Sequence, residues 1–231
     1  IMMSKVDEIK NLFSSSLRKD EIAFMFLGYS GVIVRTSNRA VVIDPANLLT
    51  SEEINALKGV DLLLFTHSHG DHYNSGVALN IFKATSAHVL AEPMVADNLK
   101  DKISPDKLTN TTPGKTYTFD EITVSTIQGI HRGPNNLYHI KIGELSIFHG
   151  GDSGYVPVKD YPADLAFLPT GSPSPTASPE NAFNMAAELK PSVVVAIHGS
   201  EDQNRDFEGR IKEKMPKTTV IIPEPGLLKI V

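Results

Sequence analysis

The stretch Asp61-Leu62-Leu63-Leu64-Phe65-Thr66-His67-Ser68-His69-Gly70-Asp71-His72 runs an apolar segment directly into three imidazoles and a carboxylate. Its first part, Asp61–Phe65, is apolar after its leading aspartate and of strand length, which predicts a strand buried on both faces of a sheet. The second part has no such structural reason. Neighbouring imidazoles repel one another when protonated and compete for hydrogen-bond partners when neutral, so stability alone does not gather them. A divalent cation removes the difficulty, because each neutral imidazole offers it a lone pair and the carboxylate offers charge. The expectation is a metal site at a strand-to-loop junction. In an extended segment His67 and His69 point to one side, while Asp71 and His72, past the Gly70 break, can turn toward a neighbouring position. That arrangement suggests two metals.

The texture on either side supplies a scaffold. Residues 4–18 show helical spacing of Val6, Ile9, Leu12, Phe13 and Leu17, and Ile22–Leu27, Val32–Thr36 and Ala40–Ile43 read as an antiparallel meander. A short helix over Ser51–Leu57, with Ser51 as its cap, leads to the decisive strand. After the histidine cluster come a helix at about 75–83, a strand at His88–Leu90 and a helix at about 93–100. A second meander follows, over Lys115–Phe119, Ile122–Gln128, Leu137–Ile142 and Leu145–Phe148. The remainder alternates a strand at Leu165–Leu168, a Ser/Pro/Thr-rich loop at 170–178 and a helix over Pro179–Leu189 capped by Ser178. Then come a buried strand at Val193–Ile197, a helix near Arg205–Lys214, and strands at Thr218–Ile222 and Leu227–Val231. The order of meander and strand–helix units occurs twice. Two β-rich layers with helices outside fit an α/β/β/α sandwich of two similar halves, with a mixed open sheet as the alternative.

Four donors on one short loop cannot complete two coordination spheres. Three further candidates stand just beyond β-segments: His131, Asp152 within Gly150-Gly151-Asp152-Ser153-Gly154, and His198 after Val193–Ile197. The chain has 231 residues and no cysteine, so disulfides, thiolate zinc sites and iron–sulfur clusters are excluded and any metal must rest on nitrogen and oxygen. A net charge of −5 gives no global basic field, so nucleic acid is not an expected partner. The apolar runs are too short for a membrane span, and a cytoplasmic protein is expected. Ile1, ahead of Met2 and Met3, is given no weight. With no linker long enough to separate domains, residues 1–231 are expected to form a single domain, with residues 1–20 as a helical extension.

The motif HxHxDH, complete at His67, His69, Asp71 and His72 and followed in order by His131, Asp152 and His198, resembles that of the metallo-β-lactamase fold superfamily. The resemblance runs from about Ile22 to the C-terminal region. Val42-Ile43-Asp44-Pro45, the Gly-Gly-Asp-Ser-Gly stretch, Ser178-Pro179-Glu180 before a helix and the strand end Ile197-His198-Gly199 are similar to a branch of small metal-dependent hydrolases. That branch is related to L-ascorbate-6-phosphate lactonase and N-acyl-phosphatidylethanolamine phospholipase D. The resemblance implies a four-layer α/β/β/α sandwich with two divalent ions, zinc first, although manganese, iron, cobalt or nickel would also suit these donors. It further implies that His67, His69 and His131 hold one ion, that Asp71, His72 and His198 hold the other, that Asp152 bridges them, and that Asp44 stands behind the ligands. The expected chemistry is attack of an acidified water on a carbonyl or phosphorus centre, with Asp71 orienting the nucleophile or shuttling its proton.

The interval between Asp152 and His198 leaves no room for the domain that β-CASP nucleases insert there. No arm of the kind that grips transfer RNA is evident. Flavodiiron oxidoreductases carry a glutamate where His69 stands, so a hydrolase of a small lactone or phosphodiester is favoured. Arg132, beside His131, is a candidate for holding a phosphate or carboxylate. Thr176 could offer a hydroxyl to the substrate, and Tyr155 could line its pocket. His88, His139 and His149 lie within strand patterns and read as structural. A homo-oligomer would be in keeping with the resemblance. A non-catalytic metal-containing binding or sensor module is the competing class, and the complete donor set speaks against it.

Overall fold

The computed structural model describes residues 3–231; Ile1 and Met2 lie outside the described residues. The chain divides into two compact units, one running to Thr111 and joined by Glu224–Val231, the other spanning Thr112–Pro223. The first contains strands β1 (Ala23–Gly28), β2 (Gly31–Arg35), β3 (Ala40–Ile43), β4 (Leu62–Phe65), β5 (His88–Ala91) and β6 (Leu108–Asn110), with the chain's last strand, β14 (Leu228–Ile230). They form one sheet in the order β14-β1-β2-β3-β4-β5-β6. Pairing is antiparallel from β14 to β3 and parallel from β3 to β6. The second unit contains β7 (Thr116–Phe119), β8 (Ile122–Gln128), β9 (Asn136–Ile142), β10 (Leu145–His149), β11 (Leu165–Pro169), β12 (Val193–Ile197) and β13 (Thr219–Ile221). Its sheet order is β13-β12-β11-β10-β9-β8-β7, antiparallel from β7 to β10 and parallel from β10 to β13.

Each unit is thus a meander continued by parallel strand–helix connections. One local device occurs in both. Asp61, just ahead of β4, accepts the Ala40 amide at 2.8 Å and pairs with Arg39 at 3.0 Å. Asp164, just ahead of β11, accepts both the amide and the hydroxyl of Ser146 at 2.8 Å. In both places the aspartate's own amide donates to the carbonyl of the residue it holds, Ala40 or Ser146. The start of a parallel strand is therefore locked to its neighbour by a carboxylate in each half.

Helices α1 (Lys5–Ser14), α2 (Ser51–Ala56), α3 (Ser75–Thr85) and α4 (Pro93–Leu99) belong to the first unit. Ile9, Leu12, Ala78, Ile81, Val95 and Leu99 pack with one face of its sheet, which presents Met25, Ile33, Val42, Leu63, Phe65 and Val89. Alternate strand residues such as Phe24, Val41, Leu62 and Leu64 are also buried, as a doubly covered sheet requires. In the second unit α5 (Pro179–Leu189) and α6 (Glu201–Lys214) bury Ala182, Met185, Leu189, Phe207 and Ile211 against Ala166, Leu168, Val194 and Ala196.

Three local readings are corrected. α1 ends at Ser14 rather than residue 18, because the Ser15 hydroxyl bonds back to the Asn11 carbonyl at 2.6 Å while Arg35 takes the Leu12 and Ser15 carbonyls at 2.9 and 2.7 Å. Ile9 and Leu12 of this helix are fully buried. α2 is capped by Thr50 and not Ser51, through a reciprocal capping box with Glu53. α6 begins a turn earlier than Arg205, capped by Ser200 and Gln203, because its polar first turn carries no apolar period. The edge strand β6, three residues long, has no expectation to match.

Two outcomes follow for stability. Asp164→Ala removes a charged acceptor from two donors, and the urea midpoint should fall by the equivalent of about 1–3 kcal/mol. His139 donates from Nε2 to the Pro162 carbonyl at 2.8 Å, and burial nevertheless holds its imidazole below the ordinary value of 6.5. The unfolded chain therefore binds that proton more readily, so the contribution is intact above pH 6.5 and is lost as the pH falls through and below it. Urea melts from pH 7.5 to 5.5 should show a shallower loss of stability in His139→Gln than in the native protein.

Candidate metal centre

In the first unit, the parallel register pairs Ile43 with Leu64, which brings the residues just past β3 and β4 together. Asp44 is there, fully buried and in the left-handed region at φ 46°. Gly31 makes the turn possible, since a Cβ at that position would lie 2.9 Å from the Asp44 carbonyl oxygen. The Asp44 carboxylate accepts three bonds: the Thr66 amide on Oδ1 at 2.8 Å, and the Thr66 hydroxyl at 2.5 Å and His72 Nδ1 at 2.7 Å on Oδ2. Because the Thr66 hydroxyl gives its proton to Asp44, it accepts from His67 Nδ1 at 3.0 Å. His67 and His72 are thereby both set as Nδ1–H tautomers.

Their Nε2 atoms retain lone pairs. That of His67 lies 3.1 Å from Nδ1 of His69, and that of His72 lies 3.6 Å from the Asp71 carboxylate. The loop is tightened by the His72 and Tyr73 amides, which both donate to the His69 carbonyl, and by the Ala46 amide, which donates to the carbonyl of His72. Tyr73 closes it. Its ring meets Phe65 edge-on at 5.2 Å and its hydroxyl donates to Asn98 at 2.7 Å, with burial pushing its pKa up to about 12.

In the second unit the donors come from three loops. His131 follows β8; the preceding residue, Ile130, is gripped on both sides, its amide donating to Ser153 Oγ at 2.8 Å and its carbonyl accepting the Gly154 amide at 2.9 Å. His131 Nδ1 faces the Thr176 hydroxyl at 3.3 Å, and Nε2 faces Asp152 Oδ2 at 3.3 Å. The Asp152 carbonyl accepts the Ser174 hydroxyl at 2.6 Å, and its Oδ1 accepts the Asn135 amide at 3.3 Å. His198, past β12 and also at positive φ, directs Nδ1 to the Gly171 carbonyl at 3.3 Å, while the Gly171 amide donates to the His198 carbonyl at 2.8 Å.

One pattern unites four of the five histidines that the sequence singles out. His67, His72, His131 and His198 each direct Nδ1 to an oxygen of the protein. In three of the four, His67, His72 and His131, Nε2 is set against another nitrogen or a carboxylate oxygen. Facing lone pairs need a proton or a cation between them, and an all-nitrogen-and-oxygen set of this kind fits divalent ions such as Zn²⁺ or Mn²⁺. The candidate donors among the described residues are His67, His69, Asp71 and His72 in the first unit and His131, Asp152 and His198 in the second.

The remaining residues that the sequence analysis names have defined places. Arg132 is exposed beside His131. The Tyr155 hydroxyl donates to Glu188 Oε1 at 2.6 Å, and this bond raises its pKa. Thr176 backs His131, as described. His88 bonds Thr109 at 2.8 Å, and His149 Nδ1 accepts the Gly151 amide at 3.1 Å. Sequence reasoning gives no role to Thr66, Asn135 or Ser153, and reaches Ser174 only as one hydroxyl of the loop at 170–178. Only Thr66 carries a signal in advance, as a hydroxyl between a buried strand and the histidine cluster.

The family model described as "Beta-lactamase superfamily domain" matches residues 23–198, and the chain belongs to that superfamily. Within it, the UPF0173 metal-dependent hydrolase of Pyrococcus furiosus is 30% identical over 87% of this chain and 96% of the relative. A namesake from Thermus thermophilus is 30% identical over 75% and 81%. The chain is thus a member of the metal-dependent hydrolases. Among solved structures, that of Igni18, a metallo hydrolase from the archaeon Ignicoccus hospitalis, superposes with a TM-score of 0.78 at 21% identity, covering 91% of this chain and 98% of that one. The fold is the α/β sandwich of the metallo-β-lactamases, as the sequence led us to expect. No helix among the described residues is long and apolar enough to cross a membrane.

The tautomer assignment is open to direct measurement. Ring ¹⁵N spectra at pH 8 should show Nδ1 protonated and Nε2 bare in His67, His72, His131 and His198. In Asp44→Asn the His72 assignment should change, because one amide cannot accept from both Thr66 and His72 as the carboxylate does.

Proposed function

We propose that this chain hydrolyses a small ester-type substrate, a lactone or a phosphodiester, at a centre of two divalent ions, with the two units acting as one hydrolase domain. His67, His69 and His131 would hold one ion, Asp71, His72 and His198 the other, and Asp152 would bridge them. The observation that carries this reading is the common anchoring of His67, His72, His131 and His198, each of which directs Nδ1 to an oxygen of the protein. When bound, the ions would supply Lewis acidity and lower the pKa of water enough to furnish a nucleophile near neutral pH.

The residues of the chain have separate tasks. Asp44 and the hydroxyls of Thr66 and Thr176 hold the imidazoles in one tautomer and orientation. Asp71, partly exposed, accepts a proton from the attacking water or orients it. Arg132, exposed next to His131, is the group we assign to a phosphate or carboxylate on the substrate. The kinship with the ascorbate-phosphate lactonase and the phospholipase D branch belongs to this same proposal.

Protein stripped of metal and reloaded with Zn²⁺ or Mn²⁺ should bind about two equivalents, as a two-ion site requires. The loaded protein should then turn over at least one member of a panel of lactones, phosphodiesters and β-lactams. Asp71→Ala should lower kcat by about 100-fold or more while the protein stays folded. A folded native protein that binds no metal would overturn the reading. Loaded protein that binds a panel ligand but never converts it would point instead to a sensor module.

A further inference from the structure

We infer that Asn135 is a positioning residue for the Asp152 carboxylate, fixing which of its two oxygens is offered to metal. This rests on the reading of Asp152 as a metal ligand. Asn135 is fully buried just ahead of β9, and its Nδ2 donates to Asp152 Oδ1 at 3.3 Å. The other carboxylate oxygen, Oδ2, is the one that faces His131 Nε2 at 3.3 Å. With Oδ1 engaged by the amide, Oδ2 is the oxygen left to share with His131. A buried carboxylate free to rotate about its last torsion would present either oxygen.

Three observations argue that the amide is there for this contact. Its own Oδ1 is buried and has no hydrogen-bond partner, an arrangement that weakens the fold and that an apolar side chain of the same shape would avoid. The backbone is shaped to admit it. Gly129 leaves the space that Asn135 occupies, since a Cβ there would come within 2.9 Å of Asn135 Nδ2 and 2.6 Å of Leu137 Cδ1. The Asn135 carbonyl in turn accepts the Gly129 amide at 2.8 Å, so the residue is pinned at the mouth of the β8–β9 connection that carries His131. Asn135 thus spans two donors, through its side chain to Asp152 and through its backbone to the loop of His131.

A residue that serves structure alone and one that serves the carboxylate predict opposite results for Asn135→Leu. In the positioning role, the metal-free variant melts at the same temperature as the native protein or higher, because an unpartnered amide oxygen is gone. Its Zn²⁺ affinity, measured by competition with a chromophoric chelator, falls about 10- to 100-fold. The Co²⁺-loaded variant should also show an altered d–d spectrum. Asn135→Asp, the same size, replaces the amide donor by a second carboxylate against Asp152; the d–d spectrum of its Co²⁺-loaded form should also depart from that of the native protein, which checks the contact should the leucine variant fold poorly. Unchanged Zn²⁺ affinity and Co²⁺ spectrum in a folded Asn135→Leu would overturn the inference. Failure of the metal reading is distinguishable, because the native protein would then bind neither ion.

Discussion

The buried carboxylate of Asp44 is the constraint on which the histidine loop of the first unit depends. A charge taken out of water is tolerated only when its lone pairs are filled, and Asp44 fills them with one amide, one hydroxyl and one imidazole. These donors come from two points in the chain, the residue just past β4 and the far end of the histidine loop. Satisfying the charge therefore fixes where the loop leaves the sheet and where it returns. The parallel register of β3 and β4 puts Asp44 within reach, and Gly31 on β2 clears space for its turn. Three adjacent strands are involved in placing one carboxylate, and that carboxylate sets two tautomers.

The acceptors behind the histidines are not equivalent. His72 donates to an anion, whereas His67 and His131 face neutral hydroxyls and His198 faces a backbone carbonyl. An anionic partner on Nδ1 makes Nε2 the more basic atom and the stronger electron donor. The Nε2 of His72 is also the one set beside Asp71. Donor strength is thus concentrated on the pair Asp71 and His72, while the other imidazoles are oriented without being strongly polarised. Ions held by the two proposed ligand groups would experience different fields, which gives a physical basis for different affinities.

Much of the scaffold was legible because it obeys simple periods. β3, β8, α5 and β12 fall where alternation, continuous apolar runs or the Ser178-Pro179 signal place them. The density of imidazoles after β4 made the metal reading unavoidable. What escaped detection has a common physical cause. Helix ends at Ser14 and Glu201 are set by hydroxyl, guanidinium and capping contacts that have no period. Asn135, Ser153 and Ser174 act through hydrogen bonds to residues up to 23 positions away, and nothing in their local sequence announces those partners. Thr176 shows the limit from the other side: its hydroxyl reads from the sequence as a contact for the substrate, and in the structure it lies against His131 Nδ1 and the Asp152 carbonyl.

The two units share an architecture but solve the placement of donors differently. Each begins a parallel strand under an aspartate, Asp61 or Asp164, so the strand ends emerge from equally firm sheets. In the first unit all four candidate donors lie on one loop of six residues, His67–His72, and a single carboxylate with Thr66 suffices to orient it. In the second unit three donors sit on three separate connections, and no one group can reach them all. Separate polar contacts do the work instead: Ser153 for the backbone beside His131, Thr176 for its ring, Ser174 and Asn135 for Asp152, and Gly171 for His198. Distributed donors demand distributed supports. The polar residues buried behind the second unit's donors, including an amide oxygen with no partner, follow from that dispersal, because each loop must be held on its own.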